Sequence, residues 1–277
     1  MKVGVNSFCI KTKLTQDFDG TLQRLKDGGL AFLEPCITFS EQEIASEPYA
    51  EQMKLTGGGI WPVQAAADRI AQVRAAGLEV IDAHVFVPAE ELQATLPRMV
   101  ELAKQNGLRY YVIGLSKTLE QIRPMLPILE QAAVALAAQG ITLCYHNNQC
   151  EGIPENGTSV MELLMAECPH LRMQIDVGWA QYGGTDPVAF IQNYSERIPM
   201  LHLKDMHAPT GDLLAELKAE QFTVVGEGFL NLPAIMGASK ACPLDEYGVV
   251  IDQDDSLGDI VEDIIRGAEY TKEAEQK

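Results

Sequence analysis

The sequence predicts a single (β/α)8 barrel, the TIM-barrel class, and three observations carry that reading. Short apolar runs alternate with helical segments eight times along 277 residues, with no break in composition. The runs are continuous rather than alternating, which suits parallel strands buried on both faces. Four successive runs then end in polar residues: Leu143-Cys144-Tyr145-His146-Asn147-Asn148, Gln174-Ile175-Asp176-Val177-Gly178-Trp179, Leu201-His202-Leu203-Lys204-Asp205 and Val249-Val250-Ile251-Asp252-Gln253-Asp254. Strand ends that converge on one polar site are what a barrel mouth requires. A doubly wound open sheet is the rival, but no dinucleotide fingerprint follows the first strand. Residues 1–277 are read as one domain.

In order, strands are expected at 2–9, 30–33, 78–86, 109–114, 141–146, 171–177, 198–203 and 247–251. The second should stop near Glu34-Pro35, because Pro35 cannot donate to a ladder. Helices are expected at 17–26, 63–76, 88–106, 118–139, 159–167, 187–194, 232–240 and 257–270. Gly28-Gly29, Gly77, Gly107 and Gly140 close the first four, and Asp186-Pro187 opens another as an N-cap followed by proline. Pro124 and Pro127 leave the start of the 118–139 helix open or kinked. Residues 38–61 and 205–221 read as long polar excursions, and the tail from Thr271 as frayed. The run Thr56-Gly57-Gly58-Gly59-Ile60-Trp61-Pro62 lacks the lysine and spacing of a phosphate loop, so it reads as a flexible loop over the mouth.

Acidic residues number 39 against 21 basic ones, a net charge of −18. That excludes nucleic acid as an expected partner, since its phosphates must be met by Lys and Arg, and disfavours anionic membranes. No run approaches the roughly 18 apolar residues of a membrane span, and the start reads as a strand rather than a signal peptide, so a cytoplasmic location is expected. Six cysteines without a CxxC pair are expected to be reduced and mostly buried.

His146, Asp176, His202 and Asp252 form a donor set that mixes imidazole and carboxylate, as a divalent metal ion requires; Mn, Zn, Co and Mg all remain open. Asn148 competes with His146 for its place, and Asp254 with Asp252. Lys204 follows His202 by two and shares its face, where it can hold a substrate oxygen or steady an enolate. Glu34 and His84 end the second and third strands and are candidate substrate contacts, with Glu151 as a loop carboxylate and Trp179 as an apolar wall. Glu227 stands between two glycines, as a site carboxylate or a turn residue.

At these strand ends the chain resembles the sugar isomerase/epimerase superfamily of xylose isomerase-like TIM barrels, also called AP endonuclease family 2. The likeness is strongest from Gly140 to Asp254, through Asp176-Val177-Gly178-Trp179, Gly184-Thr185-Asp186-Pro187, His202-Leu203-Lys204-Asp205 and Gly226-Glu227-Gly228. It implies a metal held by Glu, Asp, His and Glu at strands five to eight. Asp176 and His202 match; His146 and Asp252 stand where glutamates are usual, and Trp179 where a histidine often follows. The resemblance implies an isomerase or epimerase acting on a sugar or cyclitol through an enediolate, with His146, Lys204, Glu227 and Asp252 as catalytic candidates. A dehydratase or keto-glycoside lyase is the alternative, and a non-catalytic accessory barrel the third reading. Pairing with a second copy is an expectation drawn from related barrels.

Overall fold

The computed structural model describes residues 1–215 and 217–276. Its main sheet has ten strands, all paired in parallel. Two of the ten, Phe32–Glu34 and Cys36–Thr38, are segments of one barrel strand, and a third, Ile60–Pro62, is an outer addition. The barrel strands are therefore β1 (Val3–Asn6), β2 (the two segments), β3 (Asp82–Phe86), β4 (Tyr110–Ile113), β5 (Thr142–His146), β6 (Arg172–Asp176), β7 (Met200–Leu203) and β8 (Val249–Ile251). The first segment of β2 pairs with β1 and the second with β3, while β1 pairs with β8, which closes the ring.

The strand stops at Glu34, as Pro35 predicts, and a second segment resumes at Cys36 with a new partner, which was not expected. Pro35 has no N–H to lose, and its carbonyl accepts from the His84 amide at 2.9 Å. The place beside Cys36–Thr38 that β1 leaves is taken by Ile60–Pro62.

Strand periodicity sorts the side chains into two bodies. Val3, Val5, Leu33, Ala83, Val85, Tyr111, Ile113, Leu143, Tyr145, Ile175, Leu201, Leu203, Val249 and Ile251 belong to the large core that includes the helices. The alternate residues face the barrel interior. At the N-terminal end Phe32, Met200 and Val250 form a separate apolar plug, with Tyr110 and Tyr247 against it. Further along the same strands the interior turns polar, and the site is built there.

Several loops differ from expectation. The 38–61 excursion contains helices Glu41–Ile44 and Glu47–Thr56, started by Ser40 and Ser46 as side-chain caps. Its polar composition hid them, because neither buries a broad apolar stripe. The glycine run is neither flexible nor a phosphate cradle. A Cβ on Gly58 would stand 2.3 Å from the Leu14 carbonyl carbon, and one on Gly59 2.4 Å from the Ser7 carbonyl oxygen, so the glycines permit backbone to pack on backbone. The 118–139 helix is split into Leu119–Ile122, a 3-10 turn Arg123–Met125 and Leu126–Ala137, as the prolines require. The tail does not fray at Thr271; Ile260–Glu275 is one helix, capped by Asp259. All six cysteines are free. Among the described residues no helix is long and apolar enough to cross a membrane.

Candidate metal centre and active site

Register sets the centre. Asp176 lies directly beside His202 across β6 and β7, and Val250 flanks His202 on the other side, so Asp252 projects just beyond it. His146 ends β5 next to Gln174. One donor atom from each of His146, Asp176, His202 and Asp252 lies within 4.8 Å of all the others, and all four residues are buried. His146 Nε2 is 3.5 Å from Asp176 Oδ2 and 3.7 Å from Asp252 Oδ2, and His202 Nδ1 is 3.1 Å from Asp252 Oδ2.

Asp176 is both a helix cap and a member of this cluster. Its Oδ1 accepts the Trp179 amide at 2.7 Å and starts the helix Val177–Gly183. Its Oδ2 is buried with no hydrogen-bond partner, as is His146 Nε2 beside it. Two buried polar atoms 3.5 Å apart, each without a hydrogen-bond partner, are costly unless something positive serves both. The donor set therefore fits a divalent cation.

Lys204, wholly buried, lies at the edge of the cluster. Its Nζ is 2.7 Å from Asp254 Oδ2, 3.0 Å from Asp252 Oδ2 and 3.8 Å from Asp176 Oδ2, and it lies 4.8 Å from the Trp179 ring centre. Burial works against its charge, but these carboxylates hold its pKa well above the ordinary lysine value. Asp252 is the most heavily engaged acid. Cys9 Sγ donates to its Oδ1 at 2.8 Å, and Lys204 and His202 meet its Oδ2. Burial would raise its pKa, yet the Lys204 and His202 charges hold it well below the carboxylate range. Asp254 is partly exposed, and burial together with nearby Asp252 outweighs Lys204 and raises its pKa.

Beneath the cluster lies a second polar layer. Glu34 Oε1 accepts from His202 Nε2 at 2.8 Å and Asn6 Nδ2 at 2.5 Å, and its Oε2 from Gln174 Nε2 at 2.5 Å. Burial opposes the charge on Glu34, but its partners, His202 first, keep it ionised. Next to it, burial and the Glu34 charge push the Asp82 carboxyl well above its usual range. On His202 the same pair effect works in reverse: Glu34 and Asp252, one on each nitrogen, overcome burial and lift it to about 10.

Above the cluster a cavity of about 210 Å³ opens at the C-terminal barrel face. Phe8, Phe86 and Trp179 give it apolar walls, while Asn6, Ser116, Asn148, His84, His146, Lys204, Asp252 and Asp254 give it polar groups. His84 is held neutral, since burial and the neighbouring His146 lower it to about 3.

Among the sequence-predicted residues, His146, Asp176, His202, Asp252, Lys204, His84 and Trp179 come together at this site. Three others stand elsewhere. Glu34 is fully buried below the cavity; it touches Asn6 and His84 of the cavity wall and meets the cluster through His202. Glu151 is also buried: it accepts from the Tyr145 hydroxyl, from the Asn148 amide at 2.8 Å and from the Lys117 amide at 3.1 Å, and so holds the loop after β5. Glu227 pairs with Arg266 at 2.9 Å on the surface. Its two glycines serve Asp205, whose Oδ2 accepts both the Gly226 and Gly228 amides at 3.0 Å; a Cβ on Gly228 would stand 2.1 Å from Asp205 Oδ1. Asn148 lines the cavity and opens the helix Gln149–Gly152, leaving His146 as the β5 member of the cluster. Asn6, Cys9, Asp82 and Gln174 were not foreseen. Period-two spacing would have flagged Asp82 two residues before His84, and Gln174 two before Asp176.

A family described as xylose isomerase-like TIM barrel matches residues 71–274. The chain belongs to this family. Among curated proteins, this xylose isomerase-like barrel is similar to the inosose dehydratase of Geobacillus kaustophilus, at 30% identity over 135 residues, 44% of this chain and 42% of that protein. The chain thus spans less than half the length of that relative and of the next, the inosose dehydratase of Clostridium beijerinckii, of which it covers 48%. Among solved structures it resembles a sugar phosphate isomerase/epimerase from Parabacteroides distasonis, with a TM-score of 0.74 at 21% identity over 97% of this chain and 92% of that one. It also resembles a xylose isomerase-like TIM barrel protein from Mycobacterium smegmatis in complex with magnesium, with a TM-score of 0.61 at 12% identity, covering 99% and 95%. At these identities the structural likeness speaks for the fold.

Proposed function

We propose that the barrel is a metal-dependent enzyme that enolises a small polyhydroxy ketone, a sugar or cyclitol, at its C-terminal face. The observation that carries this is the convergence of His146, Asp176, His202 and Asp252 with two unpartnered donor atoms under an open cavity. These four residues would hold the ion, and the ion would polarise the substrate carbonyl. No nucleic acid or membrane has a part in this reading.

The other groups divide the work. Asp254, a carboxylate of raised pKa on the cavity wall, takes the proton from the carbon next to the carbonyl. The C–H electrons become the enolate double bond, and the carbonyl pair moves onto oxygen. Lys204, a permanent ammonium, steadies that charge. Neutral His84 hydrogen-bonds a hydroxyl, and Trp179 and Phe86 face the ring's C–H surface.

From the enolate, re-formation of the carbonyl can expel the hydroxyl on the next carbon, which takes the proton held by Asp254 and leaves as water, giving dehydration; return of that proton to another carbon or face gives isomerisation or epimerisation. The geometry supports dehydration best, with one working base. Asp252 is a saturated anion of low basicity and His84 is nearly non-basic, so Asp254 has no free partner base. The name inosose dehydratase on the curated relatives leans the same way. The epimerase reading needs a second base, and His146, which Asp176 and Asp252 make more basic despite burial, could serve only where it does not hold the ion.

Incubation of Mn- or Zn-loaded protein with inososes and ketoses in D2O, followed by proton NMR, tests this. Deuterium at the α-carbon with loss of water supports dehydration, and deuterium in a new stereoisomer supports epimerisation. No exchange across the panel, in protein shown to be metal-loaded, overturns enolisation.

A further inference from the structure

We infer that Glu34 is a positioning residue for the metal centre, acting through His202; the inference rests on the metal reading above. Glu34 ends a strand at the face where substrate contacts are expected, yet it is fully buried and is absent from the cavity wall. What it touches is the far side of His202. Nε2 of that ring lies 2.8 Å from Glu34 Oε1, while Nδ1 lies on the cluster side, 3.1 Å from Asp252 Oδ2. A carboxylate can only accept, so the hydrogen bond keeps a proton on Nε2; Nδ1 meets a carboxylate too, but that one is a member of the cluster, so an ion bound there would take the place of the Nδ1 proton and receive the lone pair.

Glu34 is itself fixed from two further strands. Asn6 of β1 donates to Oε1 and Gln174 of β6 donates to Oε2. The imidazole is thus oriented by a carboxylate whose position is set by β1, β2 and β6 together. An outer carboxylate that orients a ligand histidine is worth roughly 10–100-fold in metal affinity.

The arrangement supplies its own conservative variant. Gln174 Oε1 is buried without a partner, so in Glu34→Gln the Gln174 amide can turn and accept from the new NH2. That variant keeps the shape and an acceptor oxygen for His202, and loses the charge. Glu34→Leu removes the acceptor as well.

Zn and Co binding to wild type, Glu34→Gln and Glu34→Leu would be measured by competition with a chromophoric chelator. Circular dichroism would monitor folding, and the zinc-loaded forms would be examined by 15N-histidine NMR. The account predicts weaker binding by about 10-fold for Gln and toward 100-fold for Leu. It also predicts a slowly exchanging Nε2–H signal from zinc-bound His202 in wild type that shifts in Glu34→Gln and disappears in Glu34→Leu. Folded variants that bind as wild type does, or wild-type His202 bound through Nε2, overturn the inference. Wild type that binds neither metal overturns the metal reading, and the positioning role with it.

Discussion

The two ends of the barrel hold charge in opposite ways. At the N-terminal end Arg109 pairs with Asp245 at 2.6 Å and Lys2 with Glu246 at 3.1 Å, with the basic side chains about half exposed. The interior there is apolar, closed by Phe32, Met200 and Val250. At the C-terminal end Glu34, Asp176, His202 and Lys204 are wholly buried inside the ring. At the first end Arg109, Lys2 and Glu246 stay in water and cost little to keep, and the enclosed Asp245 has Arg109 and the Tyr110 hydroxyl as partners. The charges at the second end have lost their water, and must be held by one another or by an added ion. The same strands build both ends, so the contrast lies in a few residues per strand rather than in the fold. Where a barrel carries such costly charge, it marks the site.

The contrast can be broken most severely at Lys204. Lys204→Met takes the ammonium from buried Asp252, which keeps His202, and from the partly exposed Asp254, and should cost about 3–5 kcal/mol in the metal-free protein by urea denaturation. The matching change at the other end, Arg109→Met, should cost under about 1 kcal/mol. Equal losses would dissolve the distinction between the ends.

A smaller effect is expected where the mouth loop is pinned. Gly228→Ala places a methyl against the Asp205 carboxylate and should cost about 1–3 kcal/mol, read in the same assay. Asp259→Ala, outside the buried cluster, removes the cap of the last helix and should cost about 1 kcal/mol. Lys13 and Arg24 outweigh partial burial and hold Asp259 at about 2, below its unfolded value near about 3.9. Its contribution is therefore full above the unfolded value and fades as pH falls through about 2. The wild-type advantage should shrink over that window and stay flat from pH 5 to 7. Smallest of all, Glu227→Ala should leave turnover unchanged, because Glu227 faces Arg266 on the surface.

Much of this was legible in the sequence. Eight apolar runs gave the ring, and the polar residues that end four of them gave the cluster, because a parallel strand puts its chemistry where it stops. The layer below was missed for a physical reason. Asn6, Asp82 and Gln174 sit inside or at the end of strands, where a polar residue has no meaning until the ring closes and brings it to Glu34. Glu227 misled because its flanking glycines reflect the needs of Asp205. The helices at Glu41–Ile44 and Glu47–Thr56 were hidden by their polarity, and the glycine run by its resemblance to a loop.

The central claim is that the buried charge at the mouth is arranged around a metal ion. Metal content of protein purified without chelator, measured by elemental analysis beside Asp176→Asn and His202→Ala, tests it most directly. The account predicts about one divalent ion per chain in wild type and a loss of more than about 100-fold in affinity in each variant, beyond what an outer partner contributes. Wild type that carries no metal and takes up neither added Mn nor Zn, or variants that bind as well as wild type, would contradict it.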